Sequence, residues 1–111
     1  MPIKEAQPDA AAAAVTDGAF LLDVREPNEW AAGRAPEAVH VPMGSVVADH
    51  AEIPKDQAIY VICRSGGRSA AVTEALTTWG YDATNVLGGM KGWMALGLPM
   101  TSDDNADPEV I

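Results

Sequence analysis

The stretch Ala58-Ile59-Tyr60-Val61-Ile62-Cys63-Arg64-Ser65-Gly66-Gly67-Arg68-Ser69 decides the fold predicted for this chain. Its first part, 58–62, is a continuous apolar run rich in β-branched residues, which is typical of a strand buried on both faces of a sheet. After the glycines, apolar side chains recur at helical spacing and predict a helix over 67–79 with an apolar face formed by Ala71, Val72, Ala75, Leu76 and Trp79. The order strand, glycine loop, helix indicates an α/β protein.

Shorter patterns elsewhere continue this alternation. Strands are predicted at 19–24, 38–41 and 84–87, and helices at 10–15, 29–32 and 90–96. For the second helix, Asn28 is the predicted N-cap and Gly33 the predicted end. Residues 45–56 are predicted to form a helical turn followed by a polar loop. Alternating strands and helices favour a mainly parallel sheet.

Length and composition limit the class of protein. With 111 residues, 48% of them hydrophobic, the chain suits one domain with its own core. The predicted domain spans 1–100, and the polar, acidic segment 101–111 is predicted to be a disordered tail. A net charge of −9 disfavours nucleic acid and anionic membranes as partners.

Several features that would indicate other classes are missing from the sequence. No apolar run approaches the length of a membrane-spanning helix, and the N-terminus has no secretory signal pattern, so we expect a cytoplasmic protein without membrane contact. The single cysteine cannot form an internal disulfide. Because no Cys or His cluster has metal-ligand spacing, we expect no metal.

The loop 63–69 carries the chemistry that the sequence offers. Ligand sites of parallel sheets lie at the carboxyl ends of the strands, where this loop is predicted. Paired glycines let backbone N–H groups turn inward, and the free N–H groups at the start of the next helix point the same way. Together they would form an anion cradle. The cradle and the charges of Arg64 and Arg68 would favour the thiolate of Cys63, which is the nucleophilic form.

Packing is the alternative explanation for Cys63, since free cysteines are among the most buried residues. Its neighbours decide against that explanation. Two arginines and two glycines are poor companions in a hydrophobic core and good ligands for oxyanions. The sequence therefore predicts a reactive cysteine.

The loop resembles the active-site loop of the rhodanese family of single-domain sulfurtransferases, in which the cysteine comes first in a six-residue turn. Segments 22–30 and 39–42 resemble the N-terminal signature of that family, and 85–93 resembles the C-terminal one. The chain departs from the family pattern at 33–35 and 37–38, both away from the loop. The resemblance implies an α/β fold with a central, mainly parallel sheet of about five strands, flanked by helices on both faces.

The resemblance also implies a mechanism. The thiolate of Cys63, the catalytic residue, would take the outer sulfur of a donor such as thiosulfate, release sulfite, and pass the sulfur from a persulfide to cyanide or a thiol. No cofactor is needed. The remaining loop residues would bind the substrate: Arg64, Ser65, Gly66, Gly67, Arg68 and Ser69. Of the two arginines, Arg64 is the better candidate for contacting the donor, and Arg68 is the other. Asp23 and Arg25 would support the strand end structurally.

Two other functions stay open at this point. A cysteine phosphatase or arsenate reductase also places a thiolate before a helix, but typical cysteine phosphatases have five residues between Cys and Arg. Here four residues separate Cys63 from Arg68, which favours the sulfurtransferase. A persulfide relay to a partner protein uses the same chemistry and differs only in the acceptor.

Overall fold

A computed structural model describes residues 2–104 and 106–111. It contains a five-stranded sheet of β1 (Lys4–Ala6), β2 (Phe20–Asp23), β3 (Val39–His40), β4 (Ala58–Ile62) and β5 (Asp82–Val86). All neighbouring strands are parallel, in the order β1-β5-β4-β2-β3. The helices are α1 (Pro8–Thr16), α2 (Pro27–Ala32), α3 (Val46–Asp49), α4 (Gly67–Thr78) and α5 (Gly89–Ala95). In these described ranges, no helix is long and apolar enough to cross a membrane.

Helices cover both faces of the sheet because successive strand residues point to opposite sides. Ile59 and Val61 of β4 belong to one core cluster, which also contains residues of α3 and α4. Ile62 of the same strand belongs to a second cluster, with Ala11 of α1 and Trp93 of α5. The predicted α/β fold with a parallel sheet between two helical layers is confirmed.

Helix α4 begins and ends within one residue of the prediction, but its buried face is different. The buried residues are Ser69, Val72, Thr73 and Leu76, whereas Ala71 is exposed. Thr73 can be buried because its hydroxyl donates a hydrogen bond of 2.7 Å to the backbone oxygen of Ser69. The buried face of α4 is therefore partly polar.

Three local predictions need correction. The segment Lys4–Ala6 has no apolar run, yet it forms β1 because β5 offers its edge for parallel pairing. Helix α2 begins two residues earlier than predicted, with Glu26 rather than Asn28 as N-cap, since Glu26 and Glu29 form a capping box. In the expected polar loop, α3 continues into a 3₁₀ turn at His50–Glu52.

The segment 101–111, predicted from its composition to be disordered, makes contacts with the domain in the residues that the structure describes. The backbone N–H of Glu109 donates to the oxygen of Ala32 at 2.9 Å, and Asp103 forms an ion pair with Arg34. Val110 packs against the core cluster beneath α1 and α5. An apolar contact and several polar contacts thus join the acidic segment to the domain. Met1 and Asn105 lie outside the described residues.

Candidate active site

Cys63 directly follows β4 and begins the loop that leads into α4. Its side chain is buried, with the residue only 1% exposed. The N–H of Gly66 donates to Sγ at 3.1 Å, and the hydroxyl oxygen of Ser69 lies 3.2 Å from the same sulfur. Gly66 has φ of 114°, in the left-handed region that favours glycine, and it is the residue that precedes the first residue of α4.

The surroundings of Cys63 act on its pKa in opposite directions. Burial raises the pKa of the thiol, because a buried thiolate loses hydration. The Ser69 hydroxyl and the backbone N–H groups of Ser69, Gly66 and Ser65 together outweigh burial, so the net pKa lies below its ordinary value. Such a sulfur is a nucleophile and, once bonded to another atom, a good leaving group.

The other predicted loop residues differ in their roles. Ser65 is exposed and contributes its backbone N–H rather than its hydroxyl. Gly67 is the first residue of α4 and is also exposed. The structure thus brings together backbone groups of 65–66 and the side chains of Cys63 and Ser69.

The start of α5 supports the loop from the other side. Gly89 approaches so closely that a Cβ there would lie 2.5 Å from the backbone oxygen of Cys63, and its φ is +55°. The N–H groups of Met90 and Lys91 donate to the backbone oxygens of Cys63 and Arg64 at 2.8 and 3.0 Å. The backbone carbonyl groups of Cys63 and Arg64 therefore accept hydrogen bonds from α5, while backbone N–H groups of the same loop face the sulfur. The sequence analysis included Gly89 only within the segment 85–93, which resembles the C-terminal signature of the family.

Arg68 is held by a carboxylate that the sequence did not reveal. Its two terminal nitrogens donate to the two carboxylate oxygens of Glu29, on α2, at 2.7 and 2.9 Å. The hydrogen bond from Arg68 lowers the pKa of Glu29 to about 2, and the carboxylate raises the pKa of Arg68 above its ordinary value. With this planar fork occupied, Arg68 ties the loop to α2.

Arg64 is the more available of the two loop arginines. Its Nε donates to the backbone oxygen of Ile111 in the tail at 3.0 Å. In the described part of the chain it has no carboxylate within ion-pair distance, and neither does Lys91. The backbone N–H of Lys91 donates to the backbone oxygen of Arg64, so these two residues are backbone neighbours at the loop.

The end of β2, beside β4, carries the predicted pair Asp23 and Arg25. Arg25 donates through Nη2 to Asp23 at 2.8 Å and reaches the backbone oxygens of Glu29 and Gly33 at 3.3 and 2.7 Å. Both side chains are fully buried. Within the described residues, neither side chain is hydrogen-bonded to the loop 63–69, and their contacts close the strand end against α2.

Asn85 of β5 is a site residue that sequence reasoning quoted only as part of a signature. Its Oδ1 lies 2.6 Å from the hydroxyl oxygen of Ser69, and its Nδ2 donates to the backbone oxygen of Gly66 at 3.3 Å. A polar residue inside a predicted strand was the available signal. In residues 2–104 and 106–111, no three His, Cys, Asp or Glu side chains converge as a metal site.

Comparison with known proteins agrees with this architecture. Residues 7–96 match the family model of the rhodanese-like domain. A protein of Allochromatium vinosum named sulfurtransferase is 37% identical over 90 residues, which cover 80% of this chain and 84% of the relative.

Two solved structures share the fold. A rhodanese-related protein from Thermoplasma volcanium has a TM-score of 0.84 and 28% identity, covering 88% of this chain and 97% of its own. A rhodanese-like domain protein from Staphylococcus aureus has a TM-score of 0.77 and 33% identity, covering 82% and 91%. The chain belongs to the rhodanese-like family of single-domain sulfurtransferases.

Proposed function

We propose that the protein transfers sulfane sulfur from a small anionic donor such as thiosulfate to a nucleophilic acceptor, through a persulfide on Cys63. One observation carries the proposal: the buried Sγ at the end of β4 has a backbone N–H and a hydroxyl within 3.2 Å. These donors favour a negative charge on this sulfur, which the reaction requires at its start and at its end. The pKa of Cys63, lowered in spite of burial, supports the same role.

In the first half-reaction, the thiolate of Cys63 attacks the outer sulfur of the donor. A bond forms between Sγ and that sulfur, the S–S bond of thiosulfate breaks, and its electron pair leaves with sulfite. The sulfonate oxygens of the donor need a cation. Arg64 supplies it, because the terminal nitrogens of Arg68 are already paired with Glu29.

In the second half-reaction, a nucleophile attacks the outer sulfur of the persulfide. The S–S bond breaks, Cys63 leaves as thiolate, and the acceptor departs as thiocyanate if it was cyanide, or as a persulfide if it was a thiol. The N–H groups and the hydroxyl that stabilised the attacking thiolate now stabilise the leaving thiolate. No cofactor enters either step, and a protein thiol could serve as acceptor in the same way.

The paired state of Arg68 also argues against the phosphatase alternative. A phosphate needs a guanidinium fork directed into the loop, and in this chain that fork binds Glu29. We therefore expect no detectable hydrolysis of a small aryl phosphate. Steady turnover of such a phosphate that disappears in Cys63→Ser would favour the phosphatase instead.

Intact-mass spectrometry tests the persulfide directly. After incubation with thiosulfate, the wild-type protein should gain the mass of one sulfur atom on Cys63 and lose it to cyanide as thiocyanate. Cys63→Ser, checked for folding by circular dichroism, should do neither. Thiocyanate formation at the wild-type rate in that variant would rule the proposal out.

A pair of arginine variants tests the donor contact. Arg64→Ala should raise KM for thiosulfate about tenfold, since a hydrogen bond to a charged group contributes roughly 1.5–3 kcal/mol, part of which water replaces. Arg34→Ala is the matched control, because Arg34 is bonded to Asp103 in the tail and should leave KM unchanged. Equal KM values for the two variants would remove Arg64 from the donor site.

A further inference from the structure

The hydroxyl of Ser69 faces two acceptors at once. Its oxygen lies 2.6 Å from Oδ1 of Asn85 and 3.2 Å from Sγ of Cys63. A serine hydroxyl carries a single proton, so it can donate a well-aligned hydrogen bond to only one of them at a time. The exposed fractions are 0% for Ser69, 2% for Asn85 and 1% for Cys63. Protein groups rather than solvent therefore determine which of the two acceptors receives the hydrogen bond.

The orientation of the Asn85 amide follows from its other contact. The backbone oxygen of Gly66 can only accept, so the group of Asn85 that faces it at 3.3 Å must be the Nδ2 amine. Oδ1, which also only accepts, is then the atom that faces Ser69. The proton between Asn85 and Ser69 can therefore come only from the hydroxyl.

The charge on the sulfur decides where that proton goes. When Cys63 is a thiol, its S–H can donate to the Ser69 oxygen, while the hydroxyl donates to Asn85. When Cys63 is a thiolate, the sulfur has no proton and attracts the hydroxyl instead, since hydrogen bonds to ionised groups are the stronger ones. Every donor has an acceptor in each state, and moving between the states requires only a rotation about the Ser69 Cβ–Oγ bond.

We propose that Asn85 is a positioning residue that holds the Ser69 hydroxyl beside Cys63 and accepts its proton whenever that sulfur is uncharged. The inference rests on the sulfur-transfer function proposed above. In the persulfide state the inner sulfur is neutral and the hydroxyl is directed to Asn85. As the inner sulfur takes the electron pair of the breaking S–S bond, the hydroxyl rotates toward it and stabilises the leaving thiolate.

In this arrangement, Asn85 and the thiolate compete for the proton of the Ser69 hydroxyl. The competition determines in which direction each of two substitutions should shift the pKa of Cys63. Ser69→Ala removes the donor and should raise the pKa of Cys63 by about one unit, the equivalent of a charge-assisted hydrogen bond. Asn85→Ala removes the competing acceptor and should lower the pKa. In the Ser69→Ala background the proton is absent, so Asn85→Ala should have no further effect.

The experiment is a double-mutant cycle on the thiolate. The alkylation rate of Cys63 by iodoacetamide is measured against pH in the wild type, Ser69→Ala, Asn85→Ala and the double variant. This readout needs no sulfur donor, so it is independent of whether the protein transfers sulfur. We expect a lower midpoint in Asn85→Ala and the same midpoint in the double variant as in Ser69→Ala.

Other outcomes overturn the proposal. A midpoint that rises or does not move in Asn85→Ala would show that Asn85 does not compete for the proton. An equal shift in both backgrounds would show that Asn85 acts on the loop through Gly66 and not through Ser69.

A second measurement covers the case in which Asn85→Ala does not fold. The side-chain carbonyl ¹³C resonance of Asn85 in the wild type should titrate with the alkylation midpoint, because Oδ1 loses its hydrogen bond when the thiolate forms. The titration should be lost in Ser69→Ala, and the exposed Asn28 should not titrate in either protein. Titration that persists without the hydroxyl, or its absence from the wild type, would contradict the proposal.

Discussion

Strands β2 and β4 are hydrogen-bonded neighbours that end at the same edge of the sheet, with Asp23 opposite Ile62. The side chains that follow the two strands have opposite surroundings. After β2, the guanidinium of Arg25 is enclosed by Asp23 and by backbone oxygens, and both side chains are fully buried. After β4, N–H and hydroxyl donors converge instead on the sulfur of Cys63. The charge of Arg25 is already satisfied by partners within the fold, so its role is structural. The donors around Cys63 stabilise a charge on a reactive atom, which suits that atom for chemistry.

Breaking the β2 end should have the largest effect on stability. Arg25→Leu leaves the carboxylate of Asp23 buried without its partner, which should lower the free energy of unfolding by about 3–5 kcal/mol. Urea denaturation measures this. The exposed pair Lys4–Asp82 is the control, and Lys4→Met should cost less than about 1 kcal/mol. Equal losses in the two variants would mean that the buried pair does not close this strand end.

Breaking the β4 end should affect transfer more than folding. In Gly89→Ala the new Cβ would lie within 2.6 Å of backbone atoms of Cys63 and Arg64, which cannot move aside as a flexible side chain would. We expect the loop to shift, the transfer rate to fall at least about tenfold because a misplaced catalytic group can cost more than that, and stability to drop by about 2 kcal/mol.

Gly97 is a matched control for this prediction. Its φ of +70° is also left-handed, but nothing lies within 4 Å of a Cβ placed there. Gly97→Ala should show only the backbone cost of about 1 kcal/mol and keep the transfer rate. A comparable loss of rate in the two variants would show that the close approach of Gly89 to the loop is unimportant.

Removing the ion pair between Arg68, in the loop 63–69 after β4, and Glu29, in the helix that follows β2, should have the smallest effect on stability. Glu29→Gln releases Arg68 and should lower stability near neutral pH by about 1 kcal/mol, because Arg68 is about a third exposed and solvent screens the pair. The folded pKa of Glu29, about 2, lies below its ordinary 4.5. The pair therefore stabilises above pH 4.5, and its contribution is lost as pH falls through about 2.

Denaturation at several pH values checks this prediction. The stability difference between the wild type and Glu29→Gln should be largest near neutral pH and shrink as pH approaches 2. A difference that stays constant over this range would mean that the carboxylate charge does not contribute.

The parts of the fold that the sequence predicts are those with a local pattern. The apolar run of β4 and the periodic residues of α4 gave their bounds to within a residue, and the glycines of the loop indicated a cradle. The strand Lys4–Ala6 was missed because its pairing partner, β5, lies far along the chain. The packing of Val110 against distant helices has no local pattern either, since Val110 stands near the end of an acidic segment.

The candidate site shows the same limit. Cys63 and Ser69 follow from one contiguous stretch, whereas the residues that support them come from other elements: Glu29 on α2, Asn85 on β5 and Gly89 on α5. Nothing in the sequence around Glu29 points to Arg68, because the two are 39 residues apart. Asn85 and Gly89 left weaker signals, a polar residue in a buried strand and a glycine pair, that needed the sheet order for their interpretation.

The central position of β4 also has a consequence for lifetimes. Because β4 is paired on both sides, with β2 and β5, its amides should exchange with solvent deuterium only when most of the sheet opens. The reactive sulfur is attached to the end of this slowest-exchanging segment and is itself only 1% exposed. A reagent too large to reach a sulfur this buried must wait for an opening event. For such reagents, the lifetime of the unmodified thiol of Cys63 would then be set by the kinetic stability of the sheet.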